Sequence, residues 1–190
     1  MEKTKIGFAM CGSFCTFQPA LEQLHLLAEQ GHQLLPIMSK NASETDTRFG
    51  RASDFIWELE DTCRHKVIKT IPDAEPIGPK RMVDLMIVAP CTGNTLAKLA
   101  CGITDTPVTM AVKSSLRIGL PVVLALATND ALAASAQNIG RLLNVKNVYF
   151  VPLRQDDPEK KPSSLVCDFS KLIPTCEAAL AGKQLQPVFQ

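Results

Sequence analysis

Three short segments of this chain carry the side chains best suited to binding a small molecule. In the first, the apolar run 83–89 leads through Pro90 into Cys91, Thr92, Gly93, Asn94 and Thr95. The run reads as a buried strand, being too short for a helix that also needs a polar face. Pro90 fixes its own φ and donates no ladder hydrogen bond, so the strand is expected to stop there. Hydroxyl, thiol and amide groups then follow at the carboxyl end of a strand, where ligands sit in an open α/β sheet. An ordinary strand-to-helix connection would use the same residues, and Cys91 suits packing there as well as chemistry.

The second segment is the turn 10–16, with Gly12, Ser13 and Thr16. A dinucleotide fold would place Gly-x-Gly-x-x-Gly here and an acid after the second strand. One glycine is present, and Ser39-Lys40 stands where the acid would be, so a nicotinamide dinucleotide is a poor fit. Gly12, Ser13 and Thr16, with Ser39 from the neighbouring strand end, suit a single phosphate held against exposed amides. Helix capping by Ser13 and Ser39 explains the same residues equally well. The third segment is Ala127-Thr128-Asn129-Asp130, again after an apolar run.

The elements that must position these segments can be read along the chain. Apolar runs at 6–11, 34–38, 83–89, 121–127 and 148–151 read as strands. Helical spacing predicts helices from Leu21 to Ala28, closed by Gly31, and from Phe55 to Cys63. Further helices are expected over 95–100, 108–116, 131–143 and 165–180, the last kinked at Pro174. Residues 39–51 read as a loop, Pro72, Pro76 and Pro79 make their stretch irregular, and 152–164 reads as a charged loop or lid. Alternating strands and helices predict an α/β, doubly wound, Rossmann-like or flavodoxin-like sheet, mostly parallel, with helices on both faces. No linker or repeat divides residues 1–190, so one domain is expected.

Composition narrows the function classes. Apolar residues make up 46% and charged ones 21%, values of a globular chain that needs no metal or disulfide to build its core. Net charge is +1 and Trp57 and Tyr149 are single copies, so no basic, aromatic surface for nucleic acid is expected. Seven cysteines lack metal or redox spacing and three histidines leave little for a zinc site, so no metal is expected. No run approaches the ~20 apolar residues that would span a bilayer. The apolar stretch after Lys5 is broken early by Gly12 and Ser13 with no signal-cleavage pattern, so a cytoplasmic chain is expected.

The stretch Ala89-Pro90-Cys91-Thr92-Gly93-Asn94-Thr95, followed by Gly102 and Asp105, resembles the Pro-Ala-Ser-Ala-Asn-Thr motif of the flavin-containing cysteine decarboxylase superfamily. Within it, residues 45–50, 90–94, 127–132 and 155–162 resemble the family of dipicolinate synthase B subunits. The resemblance runs from Lys5 to about Pro187. It implies FMN as cofactor, with Gly12, Ser13, Thr16 and Ser39 at the phosphate. Pro90, Cys91, Thr92 and Asn94 would lie against the flavin ring, with Phe49 as a candidate cover for it.

The decarboxylase pattern is incomplete. Those enzymes carry Pro-x-Met-Asn-x-x-Met after the fourth strand, where this chain has Ala127-Thr128-Asn129-Asp130-Ala131-Leu132. Asn129 survives, and with Asn94 it is the candidate catalytic group. His65 does not align with the superfamily's catalytic histidine and is expected to be a solvent-exposed side chain, while Met110 replaces the prenyltransferases' arginine. The resemblance instead implies oxidation of a dihydrodipicolinate-pathway intermediate to dipicolinate during sporulation, together with a nicotinamide-binding A subunit. An FMN-dependent decarboxylase of a cysteine derivative and a non-catalytic assembly subunit for the A subunit are the alternatives. A small dicarboxylate substrate needs cations, for which Arg48, Arg117 and Arg154 are candidates. A homo-oligomer built from trimers is also implied.

Overall fold

The computed structural model describes residues 3–190. Its strands are β1 (Lys5–Met10), β2 (Gln33–Met38), β3 (Leu85–Cys91), β4 (Val122–Thr128), β5 (Val148–Phe150), β6 (Leu153–Arg154) and β7 (Leu165–Cys167). Helices are α1 (Phe17–Glu29), α2 (Lys40–Glu44), α3 (Ala52–Cys63), α4 (Ile71–Ala74), α5 (Gly93–Ala100), α6 (Pro107–Arg117), α7 (Ala136–Leu143) and α8 (Leu172–Leu180). The seven strands form one sheet in the order β2-β1-β3-β4-β7-β6, with β5 also paired to β4. Pairing through β2, β1, β3, β4 and β5 is parallel, while β7 runs antiparallel to both β4 and β6.

The four long strands are buried on both faces, so they read as continuous apolar runs and not as alternation. Helices α1 and α8 pack on one side, with α3 against α1. Helices α5, α6 and α7 pack on the other, with α4 against α6. Phe8, Phe17 and Phe150 are among the largest fully buried side chains. Gly31 closes α1 in the left-handed region, φ +82°, where a side chain would be strained.

β1 is flanked by β2 and β3, so the chain direction across the sheet reverses at β1. Loops leaving β1 and β3 therefore diverge to opposite sides and open a crevice at the strands' carboxyl ends. Register places Met10 beside Met38 and Ala9 beside Val88, so the candidate segments emerge from one edge.

Several expected boundaries differ. β3 does not stop before Pro90 but runs through it to Cys91, with a register shift between Val88 and Cys91 opposite Leu124 and Leu126. A bulge tolerates the missing N–H, and the Pro90 carbonyl still accepts from Cys11 N at 3.1 Å. Residues 39–51 are not all loop, because Ser39 caps α2 by accepting from Ala42 N. The helix expected from residue 131 starts only at Ala136, since Asp130 ties the preceding residues into turns. The helix expected over 165–180 is the strand β7 followed by α8, with Asp168 capping the turn between them. Pro174 falls in the first turn of α8, where its missing N–H has no partner to lose, so no kink is needed. The expected last strand ends at Phe150, and β6 and β7 follow it.

Candidate functional site

A cleft of about 500 Å³ opens at the carboxyl ends of β1, β3 and β4. That volume is within the usual range for small-molecule sites, roughly 300–1,000 Å³. Gly12 and Ser13 form one wall, Arg48 and Phe49 a second, and Thr92, Gly93 and Asn94 a third. Thr128 at the end of β4 and Asn129 just after it, with Asp156, Lys161 and Ser164 from the turn between β6 and β7, complete it. A second hollow, about 560 Å³, shares Gly93, Asn94, Thr128 and Asn129 and continues toward α7.

The wall at β1 rests on a hydrogen-bonded chain. Thr92 caps α5, accepting from Thr95 N at 3.2 Å, and its hydroxyl donates to Thr95 Oγ1. Thr95 Oγ1 in turn donates to Cys11 Sγ at 3.2 Å, which joins the turn after β3 to the end of β1. Burial pushes the Cys11 thiol up to about 11, only partly offset by Thr95. Cys91 is fully buried, and burial with Cys11 and Cys167 nearby holds its thiol well above its ordinary value. A neutral, enclosed thiol is a packing group and not a nucleophile.

Ser13 stands at the N-cap of the turn 14–16 that opens α1, yet its side chain makes no capping bond. Its carbonyl does the local work, accepting from Thr16 N and from Thr16 Oγ1. Gly12 has no positive φ, and a Cβ there would meet Asn41 and Phe14 at ordinary contact distances of 3.5 Å. The glycine is therefore demanded neither by the backbone nor by a close approach of its neighbours.

At β4, Asp130 accepts from Thr128 Oγ1 at 2.6 Å and from Ser135 Oγ at 2.9 Å, which braces the turn containing Asn129. The Thr128 hydrogen bond, assisted by Ser135, lowers the Asp130 carboxyl below its ordinary value of 3.8 against a desolvation effect that raises it. A depressed folded-state value means that the carboxylate stabilises the fold above about pH 4, and that this stabilisation fades as pH falls through the lowered value. Asp130→Asn should therefore flatten the acid limb of a melting-temperature profile below pH 4, and an unchanged limb would exclude this role.

Gly93 packs directly on this group. A Cβ at Gly93 would collide with Thr128 Oγ1 and come within 3.1 Å of Asp130 Oδ1 and Ser135 Oγ. Gly93→Val should cost about 1–3 kcal/mol by overpacking and by breaking these bonds, read as a shift in the urea midpoint. The two tips of the cleft are also tied together: Leu132 N donates to Ser163 O, and Ser164 Oγ donates to Thr128 O.

Of the residues singled out from sequence, Gly12, Ser13, Phe49, Thr92, Asn94 and Asn129 line the cleft. Thr16, Ser39, Pro90 and Cys91 do not: they lie buried below it, Thr16 bonded to Ser13 O and Ser39 spent on the α2 cap. Arg48 reaches the cleft, its guanidinium 4.8 Å from the Phe49 ring centre. Arg117 is instead 3.7 Å from Glu75, and Arg154 is exposed on β6. His65 is exposed and borders a separate shallow hollow. Lys161, Asp156 and Ser164 went unrecognised, although they fall in or beside the charged 155–162 segment already singled out by resemblance. Lys161 Nζ donates to Asp156 at 2.9 Å, leaving Arg48 as the cleft cation without an ion-pair partner among the described residues. Among those residues no group of three or more His, Cys, Asp or Glu is placed to hold a metal ion, and no helix is long and apolar enough to cross a membrane.

A doubly wound sheet with a hydroxyl- and amide-lined crevice at its switch point defines a class of small-ligand binding α/β proteins. The Flavoprotein family model matches residues 1–179, and the chain belongs to that family. It is a homologue of the dipicolinate synthase B subunits: the Bacillus subtilis (strain 168) protein is 43% identical over 184 residues, covering 97% of this chain and 92% of that one. The B subunit of dipicolinate synthase from Bacillus halodurans C, known as a crystal structure, matches with a TM-score of 0.90 and 42% identity, over 98% of this chain and 96% of that one. Burkholderia xenovorans DmrB, crystallised in complex with FMN and described as a cubic protein cage for redox transfer, shares the fold at 20% identity and a TM-score of 0.62, over 78% of this chain and 88% of that one.

Proposed function

We propose that residues 1–190 form one FMN-binding domain, the B subunit of a dipicolinate synthase. It would act with a nicotinamide-binding A subunit to oxidise a dihydrodipicolinate-pathway intermediate during sporulation. One observation carries this reading. The cleft sets an uncommitted Ser13 hydroxyl beside the Gly12 backbone, in one cavity with the Asn94 and Asn129 side chains. The full-length similarity to dipicolinate synthase B subunits, and the FMN held by DmrB in the same fold, support it.

The donor set fits FMN. Ser13 donates a hydroxyl and the leading amides of the turn 14–16 favour a phosphate, as helix starts do. Phe49 offers an apolar wall, 46% exposed and open to a planar ring. FMN supplies, when bound, an acceptor for two electrons. The chain's own residues then bind and orient the substrate. Asn94 and Asn129 donate amide hydrogens to a carboxylate, and Arg48 offers a bidentate cation for the same class of group. Lys161 keeps Asp156 satisfied and limits the negative charge facing an anionic ligand. The 155–164 turn lines the β7 side of the cleft with Asp156, Lys161 and Ser164. A cytoplasmic homo-oligomer built from trimers is part of the proposal.

The purified chain should be yellow, with a flavin spectrum that yields FMN and not FAD on denaturation. A colourless chain that binds no added FMN in a fluorescence titration would remove the proposal.

A further inference from the structure

On the face of the sheet covered by α5, α6 and α7, and away from the cleft, lies an apolar groove of about 420 Å³. Its origin is a mismatch of lengths. α5 packs between α6 and α7 but has eight residues, about 12 Å of helix, whereas the seven residues of β4 span about 23 Å. The amino-terminal half of β4 is therefore left without a helix directly over it. Val122 and Leu124 form the floor, Leu99 at the end of α5 the upper wall, and Val112 and Leu142 the sides. Ile103 and Val145, 47% and 40% exposed, stand at the mouth.

We propose that this groove binds a small amphiphilic monocarboxylate, with its apolar body against β4 and its carboxylate at the rim. Two independent features point to that chemistry. The lining offers water little to bond: the Thr109 hydroxyl is engaged with Thr106 in the α6 capping box, and most of the rest is hydrocarbon. Apart from Thr104 and the two cations at the rim, the lining gives water few polar partners, and such a space favours apolar matter. The charged side chains of the lining are both cations, Lys113 and Arg117, four residues apart and so on one face of α6. Arg117 has a distant partner in Glu75 at 3.7 Å, and Lys113 has no ion-pair partner among the described residues. Apolar floor and cationic rim together match an anionic head on a short hydrocarbon tail or ring, and a neutral or cationic ligand would forgo the rim.

The test is calorimetric titration of the full chain with octanoate, 4-phenylbutyrate and 1-octanol. One carboxylate should bind per chain, and 1-octanol about tenfold more weakly, because it lacks the charge that the rim attracts. Lys113→Glu with Arg117→Glu, both on exposed positions, should weaken octanoate at least about tenfold and reverse the sign of its salt dependence. Val145→Trp, at the exposed mouth, should block both carboxylates without disturbing the fold. Ser13→Asp, in the cleft, should bind octanoate as the unaltered chain does. The proposal is overturned if no saturable binding occurs at millimolar ligand, as it would if a second copy filled the groove. It is equally overturned if the charge-reversed chain binds octanoate undiminished, or if Ser13→Asp loses octanoate together with FMN.

Discussion

Ser13→Asp is expected to leave the chain folded and to weaken FMN binding at least about a hundredfold, so that the protein is purified colourless. Folding should survive because Ser13 already stands at an N-cap, where aspartate is among the preferred residues and complements the helix dipole. Binding should not survive, because the substitution exchanges a hydroxyl donor for a carboxylate facing a phosphate. Two like charges about 4 Å apart at an effective dielectric near 20 repel by about 4 kcal/mol, and the lost hydrogen bond to a charged group adds about 1.5–3. Ser13→Ala, which removes the donor without adding charge, should lose about tenfold. FMN fluorescence quenching and a thermal melt of each variant give both quantities. Equal affinity in the serine and aspartate forms would move the phosphate away from the β1 turn.

The second large effect concerns turnover. Dipicolinate formation, followed by ultraviolet absorbance, is expected only when this chain and the nicotinamide-binding A subunit are mixed. Asn129→Ala should then lower the rate about ten- to hundredfold, the cost of about 1–3 kcal/mol for one lost hydrogen bond to a carboxylate. The side chain is exposed in the cleft and the turn beneath it is braced by Asp130, Thr128 and Ser135, so its removal should not unfold the chain. Cysteine peptides should not be decarboxylated, since His65 borders a hollow other than the cleft. Full activity from the A subunit alone would reduce this chain to an assembly role, and an unchanged rate in Asn129→Ala would take that residue out of the chemistry.

Much of the fold was legible because its signals are local. Buried parallel strands need long apolar runs, and Ile6–Met10, Leu34–Met38 and the run before Pro90 carry them. Helix α1 was legible from the spacing of Leu21, Leu24 and Leu27 and from Gly31, which sits at φ +82°. The errors arose where a tertiary partner overrides local preference. Pro90 reads as a stop, yet a bulge opposite β4 absorbs it. Leu165-Val166-Cys167 reads as the start of a helix, yet β4 offers it an antiparallel edge. Residues 131–135 have helical composition, yet the Asp130 carboxylate holds Ser135 in a competing turn.

By itself, the sequence determined an alternating α/β chain and the strand ends that carry Gly12-Ser13, Thr92-Gly93-Asn94 and Asn129, because hydrophobic period and turn chemistry act over a few residues. Which polar side chains share a cleft was decided only by the tertiary structure. Strand order and register bring Ser13 and Asn129 together across more than a hundred residues, and divert Ser39 to a helix cap and Cys91 to the core. The β6–β7 turn contributes Lys161 for the same reason: antiparallel pairing to the end of β4 carries it there, and a pairing across 36 residues leaves no mark in the local pattern.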